Sequence, residues 1–343
     1  MKTLPSKIIQ APMLGAQDSK MTIAACNNGL IGSLACSSLS PEELAREIET
    51  IQKATDKPFN LNFFAHQMPE ITAKQITAQN EFLSPYFKEF NINPDNIPEG
   101  VIRRPFGEKQ AEIVEKYRPQ IVSFHFGLPE NNLLAAVKNT GAVVISSATT
   151  LQEAVFLEEN GADFIIAQGL EAGGHRGNFL SKIEEQIGLF ALLNSMRKII
   201  KKPIIAAGGI ADKASIQAAF MLGADYVQIG TAFLLCTESK ISLIHRREIK
   251  KNIADKANFS TALTNLFSGK PARGIINRFM RENNFISEKI LPFPYAASAN
   301  NAIKKEAEKL DKEDFSSLWC GQNPFNCQEI STAEMAKLLL SYL

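Results

Sequence analysis

Residues 203–231 read PIIAAGGIADKASIQAAFMLGADYVQIGT. This stretch contains one complete strand–helix–strand unit, with the apolar runs Ile204–Ala207 and Tyr226–Ile229 as strands and Lys213–Leu222 as the helix between them. Asp212 stands where its carboxylate can cap the first amides of the helix, and a glycine follows the last helical residue. Short, continuous apolar runs are typical of parallel strands that are buried on both faces. The stretch therefore predicts an α/β fold with a parallel sheet.

The same pattern recurs toward the amino terminus. Six further apolar runs are Lys7–Gln10, Leu30–Ser33, Phe59–Phe63, Ile121–Phe126, Val143–Ser146 and Phe164–Gln168. Helices are predicted at Pro41–Thr55 and Leu151–Asn160, and each begins after a serine or threonine that can cap it. Eight strand–helix units favour a closed (β/α)8 barrel, the TIM barrel, over an open doubly wound sheet.

The chain is longer than a bare barrel, since 343 residues exceed the ~250 that such a barrel needs. Gln67–Pro119, rich in proline and with two predicted helices, interrupts the pattern after the third strand. A second interruption has helical stretches rich in lysine and glutamate. We expect a barrel formed by residues 1–235 and 323–343, with an inserted, mainly helical lid subdomain at 236–322 near the carboxyl terminus. Ser331–Leu343 is predicted to be a final amphipathic helix that packs on the barrel.

Composition and charge restrict the class of partner. The 37 basic residues nearly balance the 36 acidic ones, so the surface has no general attraction for nucleic acid or acidic membranes. The five cysteines are odd in number and form no C-x-x-C motif, which favours reduced thiols and predicts no metal site. The first residues lack the apolar run of a signal peptide, and no run approaches a membrane span of ~18 residues. A cytoplasmic enzyme with a small-molecule substrate is expected, as a monomer or a homodimer.

Paired glycines indicate an anion site at the carboxyl ends of the last two strands. Gly208 and Gly209 follow the seventh strand, and Gly230 and Thr231 follow the eighth. Glycine lets backbone amides approach an anion closely, and the amino terminus of the following helix adds a positive dipole end. Barrels commonly hold a phosphate at this place. These glycines could instead only turn the chain, but their paired arrangement favours phosphate binding.

The loop after the sixth strand, Gln168–Gly177, surrounds His175 with glycines. Glycine lets a loop lie flat against a planar ligand, and histidine can gain or lose a proton near neutral pH. A lone histidine is more often structural, but this setting favours a functional role.

His125, at the end of the fourth strand, is a second candidate. It either contacts a ligand or packs as a hydrogen-bonded core residue, because strand alternation puts it on the same face as Ser123. His66 and His245 have no comparable setting and are interpreted as structural or exposed.

Five segments together carry a specific resemblance to a known family. They are QAPM (Gln10–Met13), PFNLN (Pro58–Asn62), QGLEAGGHRG (Gln168–Gly177), AAGGI (Ala206–Ile210) and QIGT (Gln228–Thr231). In this order they resemble the successive flavin-binding segments of the nitronate monooxygenase (2-nitropropane dioxygenase) family, whose members are FMN-dependent TIM barrels. The later segment Gly269–Arg278 also resembles the lid of that family.

The resemblance implies a role for each matching residue. Asn62 and Gln168 would hydrogen-bond the isoalloxazine ring or the ribityl chain of FMN, and His175 would be the catalytic residue. Gln10, Pro12 and Met13 would form the floor near the ring. The other implied FMN-binding residues are Gly173, Gly174, Gly208, Gly209, Gln228, Ile229, Gly230 and Thr231. His125 and Tyr295 are the candidate substrate contacts.

The implied reaction is the FMN-dependent oxidation of alkyl nitronates, with nitroalkanes as a further substrate class, by O2 to carbonyl compounds and nitrite. His175 could hold the nitronate charge as an imidazolium, or take the α-proton of a nitroalkane as a neutral imidazole. Two alternatives remain open. One is an NAD(P)H-dependent flavin reductase of the enoyl-(acyl carrier protein) reductase or quinone reductase type, and the other is a non-catalytic flavin-binding protein. The G-x-G-x-x-G fingerprint of a Rossmann domain is not present.

Overall fold

A closed barrel of parallel strands forms the body of the protein. The computed structural model describes residues 2–98, 100 and 102–343. Its strands, in chain order, are β1 (Ile8–Gln10), β2 (Ser33–Ala35), β3 (Asn60–Phe64), β4 (Ile121–His125), β5 (Val143–Ala148), β6 (Phe164–Gln168), β7 (Gly174–His175), β8 (Ile204–Ala207), β9 (Tyr226–Ile229), β10 (Thr261–Thr264) and β11 (Ala272–Ile275). Eight of them pair in the order β1-β9-β8-β6-β5-β4-β3-β2. A parallel bridge between Ile9 and Ile31 closes the ring, so the predicted (β/α)8 barrel is confirmed.

The predicted strands match the observed ones to within a few residues, and β6, β8 and β9 coincide with them. The second strand differs most. It was predicted at Leu30–Ser33, but its ladder with β3 spans Ser33–Ala35. Ile31 instead bonds toward β1, accepting from the Gln10 amide at 2.9 Å. The apolar run therefore contains both the closing bridge and the start of the strand.

Helices alternate with the barrel strands. In chain order the helices are α1 (Ser19–Asn27), α2 (Pro41–Ala54), α3 (Ala73–Glu89), α4 (Glu108–Tyr117), α5 (Asn131–Asn139), α6 (Leu151–Glu159), α7 (Leu189–Ile199), α8 (Lys213–Met221), α9 (Leu243–Ala254), α10 (Arg278–Glu282), α11 (Ala297–Lys309) and α12 (Thr332–Leu340). Ser40 and Asp212 cap α2 and α8 with complete capping boxes, as their positions in the sequence predicted.

Strand alternation divides the core into two layers. In β8, Ile204 and Ala206 pack outward under the helices, whereas Ile205 and Ala207 pack inside the barrel. The inner layer also contains large side chains such as Phe164 and Tyr226, so the barrel interior is filled by a packed core. A site for small molecules is therefore left at the carboxyl ends of the strands.

The first half of the first predicted interruption joins the second interruption in one subdomain above those carboxyl ends. Leu83 and Phe87 of α3 share a hydrophobic core with Phe279 of α10 and Ile303 of α11. The Arg278 guanidinium also pairs with the Glu89 carboxylate at 2.8 Å. Within the first interruption, α3 is thus part of the lid, whereas α4 packs on the barrel beside α2 and α5. No pattern in the sequence indicates that α3 packs against residues 236–322.

The lid contains a sheet as well as helices. β10 pairs antiparallel with β11, and β11 pairs antiparallel with the two-residue strand β7. β7 belongs to the glycine-rich loop after β6. Its first residue, Gly174, has a φ of 72°, which glycine adopts without strain. The lid thus combines its predicted helices with a small sheet, and that sheet includes part of the predicted catalytic loop.

The carboxyl-terminal helix returns to the barrel, as predicted. α12 buries Met335, Ala336 and Leu339 in the outer core layer beside α1. Among the described residues, none of the helices is both long enough and apolar enough to span a membrane.

Candidate active site

A cavity of about 540 Å³ lies between the carboxyl ends of the barrel strands and the lid. That volume is within the range of small-molecule and cofactor sites. The structure brings most of the predicted site residues to its wall, namely Pro12, Met13, Asn62, His125, Gln168, Gly173, Gly174, His175, Gly208, Gly209, Gln228, Gly230 and Thr231.

Three predicted site residues lie outside this wall. Gln10 is fully buried, where its Oε1 accepts from the Ser33 amide at 3.0 Å and its Nε2 donates to Gln17 Oε1 at 3.0 Å. Ile229 is directed into the outer core layer by strand alternation. Tyr295 packs on the lid core. The side chains of these three residues therefore make contacts within the protein core, and the ligand contacts expected for them remain predictions.

His175 is held by one hydrogen bond that determines its tautomer. Its Nε2 lies 2.8 Å from Ser268 Oγ, and Ser268 Oγ donates its proton to the carbonyl oxygen of Lys270 at 3.1 Å. Because a carbonyl oxygen can only accept, Ser268 Oγ accepts from His175 and Nε2 carries the ring proton. The Nδ1 lone pair of His175 is therefore available as a proton acceptor.

The surroundings of His175 keep its ring neutral. The ring centroids of Phe293 and Trp319 lie 5.5 Å and 5.7 Å from that of His175. Burial, followed by the nearby charges of Arg103 and other cationic groups, holds the pKa of His175 well below 6.5. Of the two roles left open by the sequence, proton acceptor and fixed imidazolium, this environment favours the proton acceptor.

Two cationic side chains make the potential at His175 positive. Lys270 Nζ lies 4.7 Å from the ring centroid of Phe126, and burial lowers the pKa of Lys270 to about 8. Arg103 lines the cavity, and burial also lowers its pKa. Within the described part of the chain, neither forms a salt bridge with a carboxylate. An anionic ligand in the cavity would supply a countercharge to Arg103, whereas Lys270 lies outside the cavity wall.

His125 and Gln168 fix the backbone of the catalytic loop. His125 Nε2 donates to the carbonyl oxygen of His175 at 3.2 Å, and its Nδ1 accepts from Ser147 Oγ at 2.7 Å. Gln168 Nε2 donates to the same carbonyl at 2.9 Å, and its Oε1 accepts from the Gly177 amide at 2.7 Å. Both ring nitrogens of His125 are thus engaged, and burial lowers its pKa to about 4. His125 lines the cavity, but its hydrogen bonds orient His175.

The loops after β8 and β9 contain unpaired amide donors. Within the described residues, the amides of Gly209, Ile210 and Gly230 have no hydrogen-bond acceptor, although all three residues line the cavity. Backbone amides away from bulk water are nearly always paired. Gly209 has a φ of 70°, and a Cβ on Gly230 would lie 3.3 Å from Ala11 Cβ. We call these three amides the anion cradle, and they fit a phosphate group that accepts hydrogen bonds.

Several important residues were missed by the sequence analysis. Ser268, Lys270, Arg103 and Trp319 come from the lid and the first interruption, and Ser268 is 93 positions from the histidine it contacts. The sequence signal nearest to them is the lid-like segment Gly269–Arg278, which contains Lys270 and directly follows Ser268. No cluster of metal-binding side chains occurs among the described residues.

His66 and His245, interpreted from the sequence as structural or exposed, are both buried. Burial lowers the pKa of each to about 4. Burial contradicts the alternative of exposure for both residues, and His245 also lines the cavity whereas His66 does not.

Comparison with known proteins gives consistent matches along the whole chain. A family model for nitronate monooxygenase matches residues 2–341. The sequence is 37% identical to a probable nitronate monooxygenase of Bacillus subtilis, over 98% of this chain and 96% of that protein. It is 36% identical to a nitronate monooxygenase of Pseudomonas aeruginosa, over 98% of this chain and 95% of that protein. A crystal structure of nitroalkane oxidase from Streptomyces ansochromogenes superimposes with a TM-score of 0.87 and 31% identity, covering 99% of this chain and 96% of the other.

Proposed function

The chain belongs to the nitronate monooxygenase family, and on this premise we propose that it is an FMN-dependent enzyme that oxidises alkyl nitronates by O2. Nitroalkanes are a second substrate class, and the products are carbonyl compounds and nitrite. The observation that carries the proposal is the environment of His175. A neutral imidazole with an available Nδ1 borders the cavity, and positive charge nearby favours an anionic ligand.

The cofactor proposal rests on the anion cradle. The amides of Gly209, Ile210 and Gly230 would donate to the terminal phosphate of FMN, while Asn62 and Gln168 would border the ribityl chain or the ring. When bound, FMN supplies the redox chemistry of the reaction. A single phosphate cradle and the absence of a G-x-G-x-x-G fingerprint in the sequence favour FMN over a dinucleotide.

The contribution of the protein to nitroalkane oxidation is a proton transfer. The α-carbon proton moves to His175 Nδ1, and the electron pair of the broken C–H bond delocalises into the nitro group, which gives the nitronate anion. Ser268 keeps the Nε2 proton in place during this step. The anion forms in a cavity that Arg103 lines and in a positive potential to which Lys270 also contributes, so the charge that develops meets fixed positive groups.

Two measurements test the proposal. The purified protein should be yellow and should release FMN, not FAD, on denaturation. Under anaerobic conditions, ethyl nitronate should bleach the flavin, and NADH should not. A colourless protein that cannot be reconstituted with FMN would contradict the cofactor proposal. Rapid bleaching by NADH with no response to nitronates would assign the chain to the reductase alternative, and bleaching by neither would leave the non-catalytic alternative.

A further inference from the structure

A short segment at the end of the lid crosses the loops that form the anion cradle. We call residues 320–323 the strap. The Gln322 amide donates to the Glu171 carbonyl oxygen at 3.0 Å. The Gly321 amide donates to Thr231 Oγ1 at 3.0 Å, and Asn323 Nδ2 donates to the Gly209 carbonyl oxygen at 3.0 Å. These three acceptors belong to the loops after β6, β9 and β8, so the strap connects all three.

The strap lies in direct backbone contact with the loop after β6. A Cβ on Gly173 would lie 2.5 Å from the Gly321 nitrogen, and a Cβ on Gly321 would lie 2.9 Å from the Glu171 oxygen. Side chains at either position would force the two backbones apart. The contact therefore depends on glycine at both positions, and it is tight enough to restrict movement of the loop.

Asn323 fixes the orientation of one peptide in the anion cradle. It holds the carbonyl of the Gly209–Ile210 peptide. In a trans peptide the N–H points opposite to the C=O, so this bond also fixes the direction of the Ile210 amide, one of the three unpaired donors. A carbonyl oxygen can only accept a hydrogen bond, which identifies Nδ2 as the Asn323 atom that faces Gly209.

The strap is continuous with the lid sheet. Trp319 forms an antiparallel bridge to Gly274 of β11. The Cys320 amide donates to the carbonyl oxygen of Arg273, also in β11, at 3.3 Å. Movement of the lid sheet would therefore be transmitted to the anion cradle through about four residues.

We propose that the strap retains the cofactor and that Asn323 is a positioning residue for the phosphate of FMN. The inference rests on the proposed FMN binding. Asn323 acts through the Gly209–Ile210 peptide, so its effect is confined to the phosphate end of the flavin. Riboflavin has the same ring and ribityl chain without the phosphate, so its binding affinity should not depend on Asn323.

The experiment is a titration of the flavin-free full-length protein with FMN and with riboflavin, followed by protein fluorescence. Asn323→Ala should weaken FMN binding about tenfold, equivalent to about 1.4 kcal/mol, and change riboflavin binding less than twofold. Asn326→Ala is the matched control, because Asn326 Nδ2 makes the same kind of bond to the Ala211 carbonyl, outside the anion cradle. It should change neither affinity by more than twofold. Asn323→Ser, which is polar but too short to reach Gly209, replaces the alanine variant if that variant does not fold.

Equal losses of FMN and riboflavin affinity would show that Asn323 is only structural and would overturn the proposal, as would an unchanged FMN affinity. These outcomes differ from a failure of the proposed function. If the proposed FMN binding were wrong, the wild-type protein itself would bind no FMN. If only the role of the strap were wrong, wild-type FMN binding would be intact.

Discussion

His175→Asn should separate the two substrate classes. Asparagine keeps a polar amide but cannot take up a proton at working pH. A neutral nitroalkane must lose its α-proton before it can be oxidised, whereas a preformed nitronate has already lost it. The variant should therefore lose activity toward nitroalkanes far more than toward nitronates.

The environment of His175 sets the size of each loss. Because burial and nearby cations hold the pKa of His175 well below 6.5, its ring is neutral at pH 7 and can accept a proton, and the variant would lose the contribution of general base catalysis. That contribution is ~10²–10⁴ in rate. For the nitronate, the change removes at most one hydrogen bond, worth about 0.5–1.5 kcal/mol, or up to roughly tenfold. The nitroalkane loss should thus exceed the nitronate loss by at least about tenfold.

The assay is the rate of anaerobic flavin bleaching by nitroethane and by ethyl nitronate, measured from pH 5 to pH 9 in wild type and variant. The visible flavin spectrum checks that FMN remains bound. His66→Asn is the matched control, since His66 is buried in the same aromatic cluster, with its ring centroid 4.8 Å from that of Phe293, but does not line the cavity. It tests the cost of removing an imidazole from this packing and should lower both rates equally and slightly.

Two results would refute the reasoning. If His175→Asn slowed both substrates by the same small factor, His175 would not be the proton acceptor. If His66→Asn reproduced the selective loss of nitroethane activity, the effect would come from packing and not from the base.

Three further predictions follow from contacts around the cavity. Ser268→Ala removes the acceptor that fixes the His175 tautomer and should lower kcat/KM for nitroethane about fivefold, the equivalent of one hydrogen bond; an unchanged value would contradict the tautomer argument. The kcat/KM for ethyl nitronate should decline above about pH 8, because Lys270, with a pKa of about 8, loses its charge there. Lys270→Met should remove this decline and lower kcat/KM for ethyl nitronate at pH 7 about tenfold. If the decline persisted in the variant, another titrating group would be its cause. Gly209→Asp places a carboxylate at the anion cradle and should abolish FMN retention, as judged by the visible spectrum after gel filtration; normal retention by the folded variant would show that the phosphate binds elsewhere.

The barrel could be predicted from the sequence because its signals are local. Each strand is a short apolar run, and the caps at Ser40 and Asp212 lie next to the helices that they begin. The lid could not be predicted in the same way. Its core depends on contacts such as that between Tyr86 and Glu282, 196 positions apart, and no local pattern indicates which surfaces meet.

The candidate site shows the same division. His175 and the paired glycines stand out because they are close together in the sequence, within loops whose place at the carboxyl ends of the strands follows from the fold. Ser268 and Lys270 acquire their roles only when the lid docks, so the resemblance of Gly269–Arg278 to a lid did not indicate what either side chain contacts. Gln10 shows the converse, because its position in a matching segment suggested a ligand contact, whereas no local pattern indicated that its side-chain oxygen accepts from the Ser33 amide.

The pairing of β7 with β11 has a consequence for protein engineering. His175 pairs with Ala272 and Gly174 with Arg273, and the Arg176 amide donates to the Pro271 carbonyl oxygen at 2.9 Å. A chimera that exchanged only residues 236–322 with a relative would join the foreign lid to a catalytic loop whose hydrogen-bonding partners it did not bring. The smallest exchangeable unit therefore includes residues 174–176, although a stretch of 59 positions that contains β8 and β9 separates them in the sequence from the rest of the lid.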